Sequence, residues 1–372
     1  MKWSLKLGRV AGIGIYVHWT FLLLIGWILF THLSQGKSLG VALHGVAFVL
    51  ALFGCVVLHE LGHALMAKRF HIQTRDITLL PIGGVARLER MPEQPHRELL
   101  VAVAGPAVNV AIAAVLFMLV LALTGLREVM NIDLLRGDMM VRLMWVNVFL
   151  AAFNLLPAFP MDGGRILRAL LAARLGRQRA TEIAASVGQG MAILFGIAGF
   201  MFNPFLIFIA IFVFLGAQAE AQMVTASTAM KGLTVKDAMV TRYRTLSIDD
   251  SVGKAVDELL AGSQQDFPVM RGHEVAGVLR RNDLIKVLNT SGREGRIRDA
   301  MSCDCPAIQI DEPLEVALPR IGEGRCNTVP VLREGRLVGL LTLENIGELV
   351  MVNSALGHAH AVEKSSRSPT EP

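Results

Sequence analysis

Long apolar tracts separated by short charged segments occupy the first 222 residues, whereas apolar and polar positions are mixed from residue 223 onward. Four tracts contain no Asp, Glu, Lys or Arg, and a fifth is long enough for two crossings: residues 10–36, 38–58, 99–126, 143–161 and 183–219. Asn203-Pro204 near the middle of the fifth tract indicates a turn. Because a spanning helix needs about 20 apolar residues, the pattern predicts six transmembrane helices.

Composition and charge agree with a membrane protein. Hydrophobic residues make up 53% of the chain and the mean hydropathy is +0.51, which is too apolar for an ordinary soluble protein. Lys and Arg cluster at residues 2–9, 68–97 and 165–179 and are sparse in the loops between these segments. Because basic loops stay in the cytoplasm, we expect a multi-pass protein of the cell membrane, in contact with the lipid bilayer and with both termini cytoplasmic. The net charge of +5 reflects this topology, so no nucleic-acid partner is expected.

The second tract ends in HELGH, residues 59–63, which is the H-E-x-x-H pattern of zinc proteases. On a helix, His59 and His63 project from one face and lie close enough to share one metal ion. Glu60 points about 100° away around the helix, beside the ion, where a general base for the attacking water belongs. Hydrogen-bonded core histidines are the alternative, but ionisable groups in an apolar span are costly and indicate function.

A third ligand is expected because a catalytic zinc takes three protein ligands and keeps one open position. The later spans offer Asp162, in FNLLPAFPMDGGR, residues 153–165, where prolines and paired glycines break a regular helix. Broken backbone at membrane depth is tolerated only inside protein or beside a wet cavity. A helix cap is the alternative role for Asp162. Asn154 fits either a contact to the developing oxyanion or an interhelical hydrogen bond.

Together, HELGH and NLLPAFPMDGGR resemble the site-2 protease family of intramembrane zinc metalloproteases. Three further segments are similar to other parts of that family: YVHWTF, PIGGVARLER and AGPAVN, residues 16–21, 81–90 and 104–109. The resemblance implies one catalytic Zn²⁺ bound by His59, His63 and Asp162, with Glu60 as the general base. It also implies single-span membrane proteins as substrates, such as anti-sigma factors already trimmed outside the membrane.

Residues 72–90 contain DITLLPIGGVARL, in which β-branched residues surround a Gly-Gly pair. This pattern predicts a small β element near the active site. A helical substrate hides its carbonyl groups in hydrogen bonds and must unwind before attack, and a strand edge here would hold the unwound segment. A plain cytoplasmic hairpin is the alternative interpretation.

The C-terminal part contains an internal repeat. VKDAM at residues 235–239 recurs as IRDAM at residues 297–301, and the segment that begins at Phe267 recurs at Val329, both 62 positions later. Each copy predicts the order helix, strand, strand, helix. The tandem resembles a pair of cystathionine-β-synthase-type (CBS) modules.

The CBS resemblance implies an adenine nucleotide bound between the two modules. The family motif for phosphate and ribose ends in Thr or Ser followed three positions later by Asp. The first copy has Arg280 and keeps Asp283, whereas the second keeps Thr342 and has Asn345. Because each motif is half intact, we expect one weak adenylate site formed around Asp283 and Thr342. A homodimer formed through the modules is the alternative role.

The expected fold is a polytopic α-helical membrane protein with a small β element, joined to a cytoplasmic α/β tandem CBS module. Its expected parts are a membrane-embedded protease domain, a linker, two CBS modules and a disordered tail: residues 1–222, 223–233, 234–291, 292–353 and 354–372. Cys303, Cys305 and Cys326 are expected to be reduced thiols because the cytoplasm is reducing.

Two other functions fit parts of the sequence. A CBS-regulated divalent cation transporter would use His59, His63 and Asp162 as a transit site, since charges within a membrane often mark ion pathways. Transporters usually show repeated halves, and no repeat is visible in these spans. A membrane-anchored protease acting on soluble chains is expected to carry HExxH in a polar domain, not after a span. The favoured interpretation is an intramembrane zinc protease.

Overall fold

The computed structural model describes residues 4–81, 83–88, 92, 94–125, 138–303, 305–323 and 326–353. The chain divides into two compact units, Met1–Gln222 and Met223–Pro372. The first unit is mainly helical, and the second contains two small sheets with helices packed on them. The predicted disordered tail, residues 354–372, lies outside the described residues.

Helices form most of the first unit: α1 Trp19–Ser34, α2 Leu39–Arg69, α3 Pro95–Thr124, α4 Met139–Asn154, α5 Asp162–Leu175, α6 Arg177–Met201 and α7 Phe205–Met230. Side-chain caps begin several of them: Ser38 accepts a hydrogen bond from the Val41 amide at the start of α2, and Asp138 accepts one from the Met140 amide at the start of α4. Among the described helices, four are long and apolar enough to cross a membrane, namely α2, α3, α6 and α7. The first unit is therefore a membrane domain.

The other two predicted spans contain shorter apolar helices, α1 and α4, of 16 residues each. The tract 10–36 is shortened because its first part forms strand β2, Ile13–His18, and helix begins only at Trp19. The tract 143–161 is shortened because α4 ends at Asn154, ahead of two prolines that cannot continue a helix. All six predicted spans thus contain a helix, but two of them are only partly helical.

A four-stranded sheet packs against α2. Its strands lie in the order β1 Ser4–Val10, β2 Ile13–His18, β3 Thr74–Leu80 and β4 Gly83–Leu88. The pairing is antiparallel between β1 and β2, parallel between β2 and β3, and antiparallel between β3 and β4. The β element predicted at residues 72–90 is confirmed, and the structure adds two N-terminal strands to it. Strand β4 lies at one edge of this sheet.

The second unit repeats one arrangement twice. Each copy has a three-stranded sheet, in which a short first strand pairs in parallel with the central strand and the third strand pairs antiparallel with that central strand. The strands of the first copy are β5 Leu246–Ser247, β6 Phe267–Arg271 and β7 Glu274–Leu279. Those of the second copy are β8 Ile308–Gln309, β9 Thr328–Arg333 and β10 Arg336–Thr342. The helices are α8 Val235–Ala238, α9 Val252–Ala261, α10 Arg281–Ser291, α11 Ile297–Ala300, α12 Leu314–Glu323 and residues 343–353. The predicted order omitted the short first strand and the helix after it.

The two copies exchange their first helices. Val235 and Ala238 of α8 pack in the core of the sheet β8–β10, whereas Ile297 and Ala300 of α11 pack in the core of the sheet β5–β7. Each packing core therefore takes its first helix from the other sequence repeat. The segment predicted as a linker, residues 223–233, is helical through Met230 because α7 continues into it.

The cysteine prediction is wrong for two of the three residues. Cys305 and Cys326 form a disulfide, with their Cα atoms 5.9 Å apart, while Cys303 is a free and exposed thiol. Cys305 precedes β8 and Cys326 precedes β9, and these strands pair in parallel. Parallel pairing brings the beginnings of both strands to one end of the sheet, a proximity that the sequence spacing does not reveal.

Candidate functional site

Three predicted metal ligands converge in the first unit. His59 and His63 lie one turn apart on α2, and Asp162 is the first residue of α5. The two Nε2 atoms are 3.1 Å apart, and Asp162 Oδ2 lies 3.2 Å from His59 Nε2 and 3.1 Å from His63 Nε2. All three side chains are buried. Three lone-pair donors therefore face one small volume.

This triangle fits a zinc ion. Zinc binds nitrogen and carboxylate oxygen at about 2.0–2.2 Å, so two ligand atoms of a tetrahedral site lie roughly 3.3 Å apart. The observed separations of 3.1 to 3.2 Å are close to that value. Two imidazole lone pairs and one carboxylate also suit a divalent cation among them, because a buried carboxylate is stabilised by a positive partner.

A backbone contact orients His63. Its Nδ1 donates a hydrogen bond to the carbonyl oxygen of Val101 on α3, at 2.7 Å. The proton on Nδ1 leaves the Nε2 lone pair directed at the other two ligands, as is usual for metal-binding histidines. Helix α3 also passes very close to the imidazoles at Gly105, where a Cβ atom would collide with His63 Nε2 and lie 2.8 Å from His59 Cε1. Only glycine fits at this crossing.

The third ligand reaches the histidines because the chain turns sharply between α4 and α5. Helix α4 ends at Asn154, and α5 starts at Asp162 after an irregular segment that contains Pro157 and Pro160. Arg165, one turn into α5, places Nη1 3.9 Å from Asp162 Oδ1. The break in the helix predicted from FNLLPAFPMDGGR is therefore present, and it brings Asp162 against α2.

A cavity of about 470 Å³ opens beside the three ligands. Its polar and charged lining consists of His59, Glu60, His63, Asn109, Asn154, Asp162 and Arg165. Residues 83–86 of strand β4 also line it, and β4 approaches so closely that a Cβ on Gly84 would lie 3.0 Å from Glu60 Cγ. The structure thus brings the predicted Glu60 and Asn154 to the same cavity as the three candidate ligands.

Sequence reasoning missed Gly105 and Asn109. Both belong to the segment AGPAVN, whose similarity to the family is visible in the sequence but in which no site residue was predicted. Their spacing of four residues places them on one face of α3. That spacing within an apolar span was the signal that could have identified them.

The two predicted nucleotide contacts differ in position. A cavity of about 880 Å³ in the second unit is lined by Thr342 and Asn345 of the second copy and by Arg280 of the first. The Thr342 hydroxyl donates to Asn345 Oδ1 at 3.1 Å. Asp283 is not among the residues that line this cavity; its carboxylate accepts hydrogen bonds from Arg280 Nε at 2.5 Å and from Lys286 Nζ at 3.2 Å. The substitution of Arg280 for a small hydroxyl residue explains why Asp283 is engaged.

Comparison with protein families gives matches in both units. Residues 47–134 and 127–196 match the family described as Peptidase family M50. Residues 235–290 and 297–351 each match the CBS domain. The two sets of matches lie on either side of the boundary between the compact units.

Several known proteins are similar over most of their length. A zinc metalloprotease of Methanocaldococcus jannaschii is 31% identical over 347 residues, covering 93% of this chain and 96% of the relative. Rip3 of Mycobacterium tuberculosis is 28% identical over 380 residues, covering 95% of this chain and 94% of the relative. Among solved structures, the site-2 protease from Methanocaldococcus jannaschii is 36% identical, covers 59% of this chain and 95% of that chain, and has a TM-score of 0.44.

Proposed function

The chain belongs to peptidase family M50 and is an intramembrane zinc metalloprotease, and we propose that His59, His63 and Asp162 bind its zinc while Glu60 acts as general base. The observation that carries this proposal is the convergence of three buried ligand atoms within 3.2 Å of one another, beside a cavity that Glu60 also lines. Membership of this family makes the cation transporter unnecessary as an explanation. The apolar helix α2 around HELGH argues against a protease restricted to soluble chains.

In the proposed mechanism, a zinc ion held by His59, His63 and Asp162 would supply a water molecule of lowered pKa and a Lewis acid for the scissile carbonyl group. Glu60 accepts the proton from the attacking water and later donates it to the leaving amine. Its position next to His59 on α2 holds its carboxylate on the cavity side toward β4. The Asn154 amide, at the end of α4, lines the same cavity and donates a hydrogen bond to the carbonyl oxygen as negative charge develops there.

The proposed substrates are single-span membrane proteins that unwind next to the zinc. Residues 83–86 of β4 line the cavity at the edge of the sheet, so their free backbone groups are available to pair with an extended peptide. The hairpin is held by Asp76, which accepts two hydrogen bonds from the Arg87 guanidinium. Hydrogen bonding to Asp76 raises the pKa of Arg87, which favours the protonated guanidinium that this pair needs.

The proposed topology is a multi-pass protein of the cell membrane with both termini and the CBS modules in the cytoplasm. The basic segments at residues 68–97 and 165–179 support this orientation. The proposed domains remain a membrane protease at residues 1–222, a linker at 223–233, CBS modules at 234–291 and 292–353, and a tail. Labelling of an Asn203→Cys variant tests the orientation, since residue 203 should react only with reagent outside the cell. Reaction only from the cytoplasmic side would reverse it.

The second unit is proposed to bind an adenine nucleotide weakly and to modulate cleavage without being required for it. Thr342 lines the cavity and offers a hydroxyl, while Asp283 acts through Arg280, whose cation suits a phosphate group. Calorimetry on the full-length protein with AMP and with ATP measures this binding, and Thr342→Ala should weaken it, with Thr290→Ala as an exposed control. Absence of heat, together with no effect of either nucleotide on cleavage, would favour a role in homodimer formation.

The general-base role is tested by Glu60→Gln in the full-length protein. Cleavage of a single-span substrate in vesicles should fall by about 10²-fold or more, because the base is lost while the three ligands remain. Metal analysis of the same preparation should find zinc retained. Glu182→Gln, an exposed substitution on α6, serves as the control and should cleave at the parent rate. Near-parental cleavage by Glu60→Gln would refute the assigned mechanism.

A further inference from the structure

Asn109 is a buried polar residue that the proposed mechanism does not use. It lies within α3, one of the four helices long enough to span the membrane, and only 1% of its surface is exposed. Its side chain lines the cavity beside the metal ligands, and its Oδ1 atom has no hydrogen-bond partner among the described residues. An unpaired amide oxygen in such surroundings is unfavourable by a few kcal/mol, and because Asn109 lines the cavity, a molecule that enters the cavity can supply the missing donor.

The position of Asn109 follows from Gly105, one helical turn earlier on the same face of α3. Gly105 lies directly against the imidazoles of His59 and His63. Asn109 is therefore about 6 Å further along the helix from that contact. This places an amide group within one turn of the point where the zinc ligands converge.

Helix α3 and strand β4 form different walls of this cavity. Helix α3 meets α2 on the side of His59 and His63, whereas β4 meets α2 at Glu60 and Val56. His59 and Glu60 point about 100° apart around α2. An extended peptide that pairs with β4 along one edge therefore has its opposite edge facing elements other than β4. The Asn109 amide, on α3, is one of the polar groups that line the cavity.

An extended peptide has backbone N–H and C=O groups along both edges. Pairing with β4 satisfies one edge, and the other edge remains unpaired in an apolar cavity, where each unpaired group is costly. An asparagine side chain carries both an N–H donor and a carbonyl acceptor, which match one peptide group. The geometry of the cavity therefore supplies one candidate partner for the second edge.

We propose that Asn109 is a substrate-binding residue that hydrogen-bonds the backbone of the unwound substrate on the α3 side of the cavity. The proposal rests on the proposed proteolytic function and adds a second anchoring point to the β4 edge. Asn147 on α4 provides a contrast within the same unit. Asn147 is equally buried and its Oδ1 also has no partner among the described residues, but its Nδ2 donates to the Leu143 carbonyl at 2.8 Å and its side chain does not line the cavity. The position in the cavity, and not the unpaired oxygen alone, therefore distinguishes Asn109.

The first experiment compares Asn109→Leu with Asn147→Leu in the full-length protein. Asn109→Leu should lower kcat/KM by about tenfold or more, because a backbone hydrogen bond to the substrate is lost, while the zinc content stays at one per chain. Asn147→Leu removes a buried amide of the same size away from the cavity and should leave kcat/KM within about threefold of the parent. A parental kcat/KM for Asn109→Leu would overturn the proposal. Loss of zinc from Asn109→Leu would also overturn it, because the amide would then support a metal ligand.

A cross-linking experiment covers the case in which Asn109→Leu does not fold. Asn109→Cys is introduced into a Glu60→Gln protein whose free cysteines are removed by Cys55→Ala and Cys303→Ser, and it is oxidised with single-cysteine substrates. A disulfide at the residues flanking the cleavage site is expected for position 109 but not for an Asn147→Cys control. Failure of position 109 to cross-link while the parent protein still cleaves would refute only this inference. A parent protein that cleaves no substrate would instead refute the proposed function.

Discussion

Two buried groups of ionisable residues in the first unit contrast in how their charges are balanced. His59, His63 and Asp162 direct lone pairs at one point, and the Arg165 cation lies 3.9 Å from the other carboxylate oxygen, Asp162 Oδ1. The second group is centred on Arg168 of α5, which has no exposed surface. Arg168 Nε donates to Glu98 on α3 at 2.7 Å, and its Nη1 donates to Glu220 on α7 at 2.5 Å. Each carboxylate of the Arg168 group contacts a cation directly, whereas the ligand group leaves three lone-pair donors facing one another.

This difference separates a structural group from a binding site. A buried ion pair whose members satisfy each other holds helices together and needs no ligand. Acceptors that face one another without a donor or a cation remain unfavourable until something positive binds between them. Helix α5 carries a member of each group, Asp162 at its start and Arg168 about 9 Å along. The Arg168 group therefore fixes the helix from which Asp162 reaches His59 and His63.

The largest effect is expected from Asp162→Ala, which removes the only charged ligand. Loss of a residue that merely supports a ligand lowers metal affinity by about 10–100-fold, so loss of a ligand should lower it by at least as much. Zinc content after dialysis and cleavage should both fall to background. Asp138→Ala, which removes the cap of α4, is the control and should keep its zinc. Unchanged zinc affinity in Asp162→Ala would exclude this carboxylate from the site.

A smaller effect, on stability and not on metal binding, is expected from Arg168→Met. Removal of the central cation leaves two carboxylates without their partner, which should destabilise the first unit by about 3–5 kcal/mol. Thermal unfolding in detergent measures this loss, and the fraction that stays folded should retain zinc. Adding Glu98→Gln and Glu220→Gln to the same variant should recover much of the stability. Loss of zinc without loss of stability would make Arg168 part of the metal site and remove the contrast.

The smallest effect is expected from Glu220→Gln alone. The Glu220 side chain is 23% exposed, and an amide in its place still accepts a hydrogen bond from Arg168. Glu98 also continues to neutralise the guanidinium of Arg168, so the free energy of unfolding should fall by only about 1 kcal/mol. The same thermal unfolding assay measures it. A change as large as that of Arg168→Met would mean that Glu220, not Glu98, is the principal partner of the buried cation.

Features that depend on local periodicity were predicted from the sequence. Five apolar tracts, the fifth long enough for two crossings, identified six helices, because a chain in lipid must satisfy its backbone hydrogen bonds internally. The i, i+4 spacing in HELGH placed His59 and His63 on one face of α2 without any knowledge of tertiary structure. The prolines and glycines before Arg165 predicted the break between α4 and α5 for the same local reason. The 62-residue repeat likewise identified two copies of one arrangement.

Features that depend on contacts between distant segments were not predicted from the residues themselves. Residues 13–18 were assigned to a span because they are apolar, and only pairing with β1 and β3 makes them a strand. Cys305 and Cys326 meet because β8 and β9 pair in parallel. The exchange of α8 and α11 between the two sheets also follows from long-range packing. A sequence repeat shows that two copies exist but not which helix packs on which sheet.

Local sequence and tertiary structure each determined part of the lining of the cavity beside His59, His63 and Asp162. Amino-acid chemistry and local spacing identified His59, Glu60 and His63 and selected Asp162 as the carboxylate to join them. The tertiary structure alone brought Asp162 to 3.1 Å from His63, 99 positions away in the chain, and alone placed Asn109 in the same cavity. Local geometry, such as which residues share a helix face, is set by backbone stereochemistry and can be predicted from a short segment alone. Convergence of distant side chains depends instead on close packing between segments. At Gly105, for example, the missing Cβ atom matters only because α2 packs there and places the His63 imidazole where a Cβ would be.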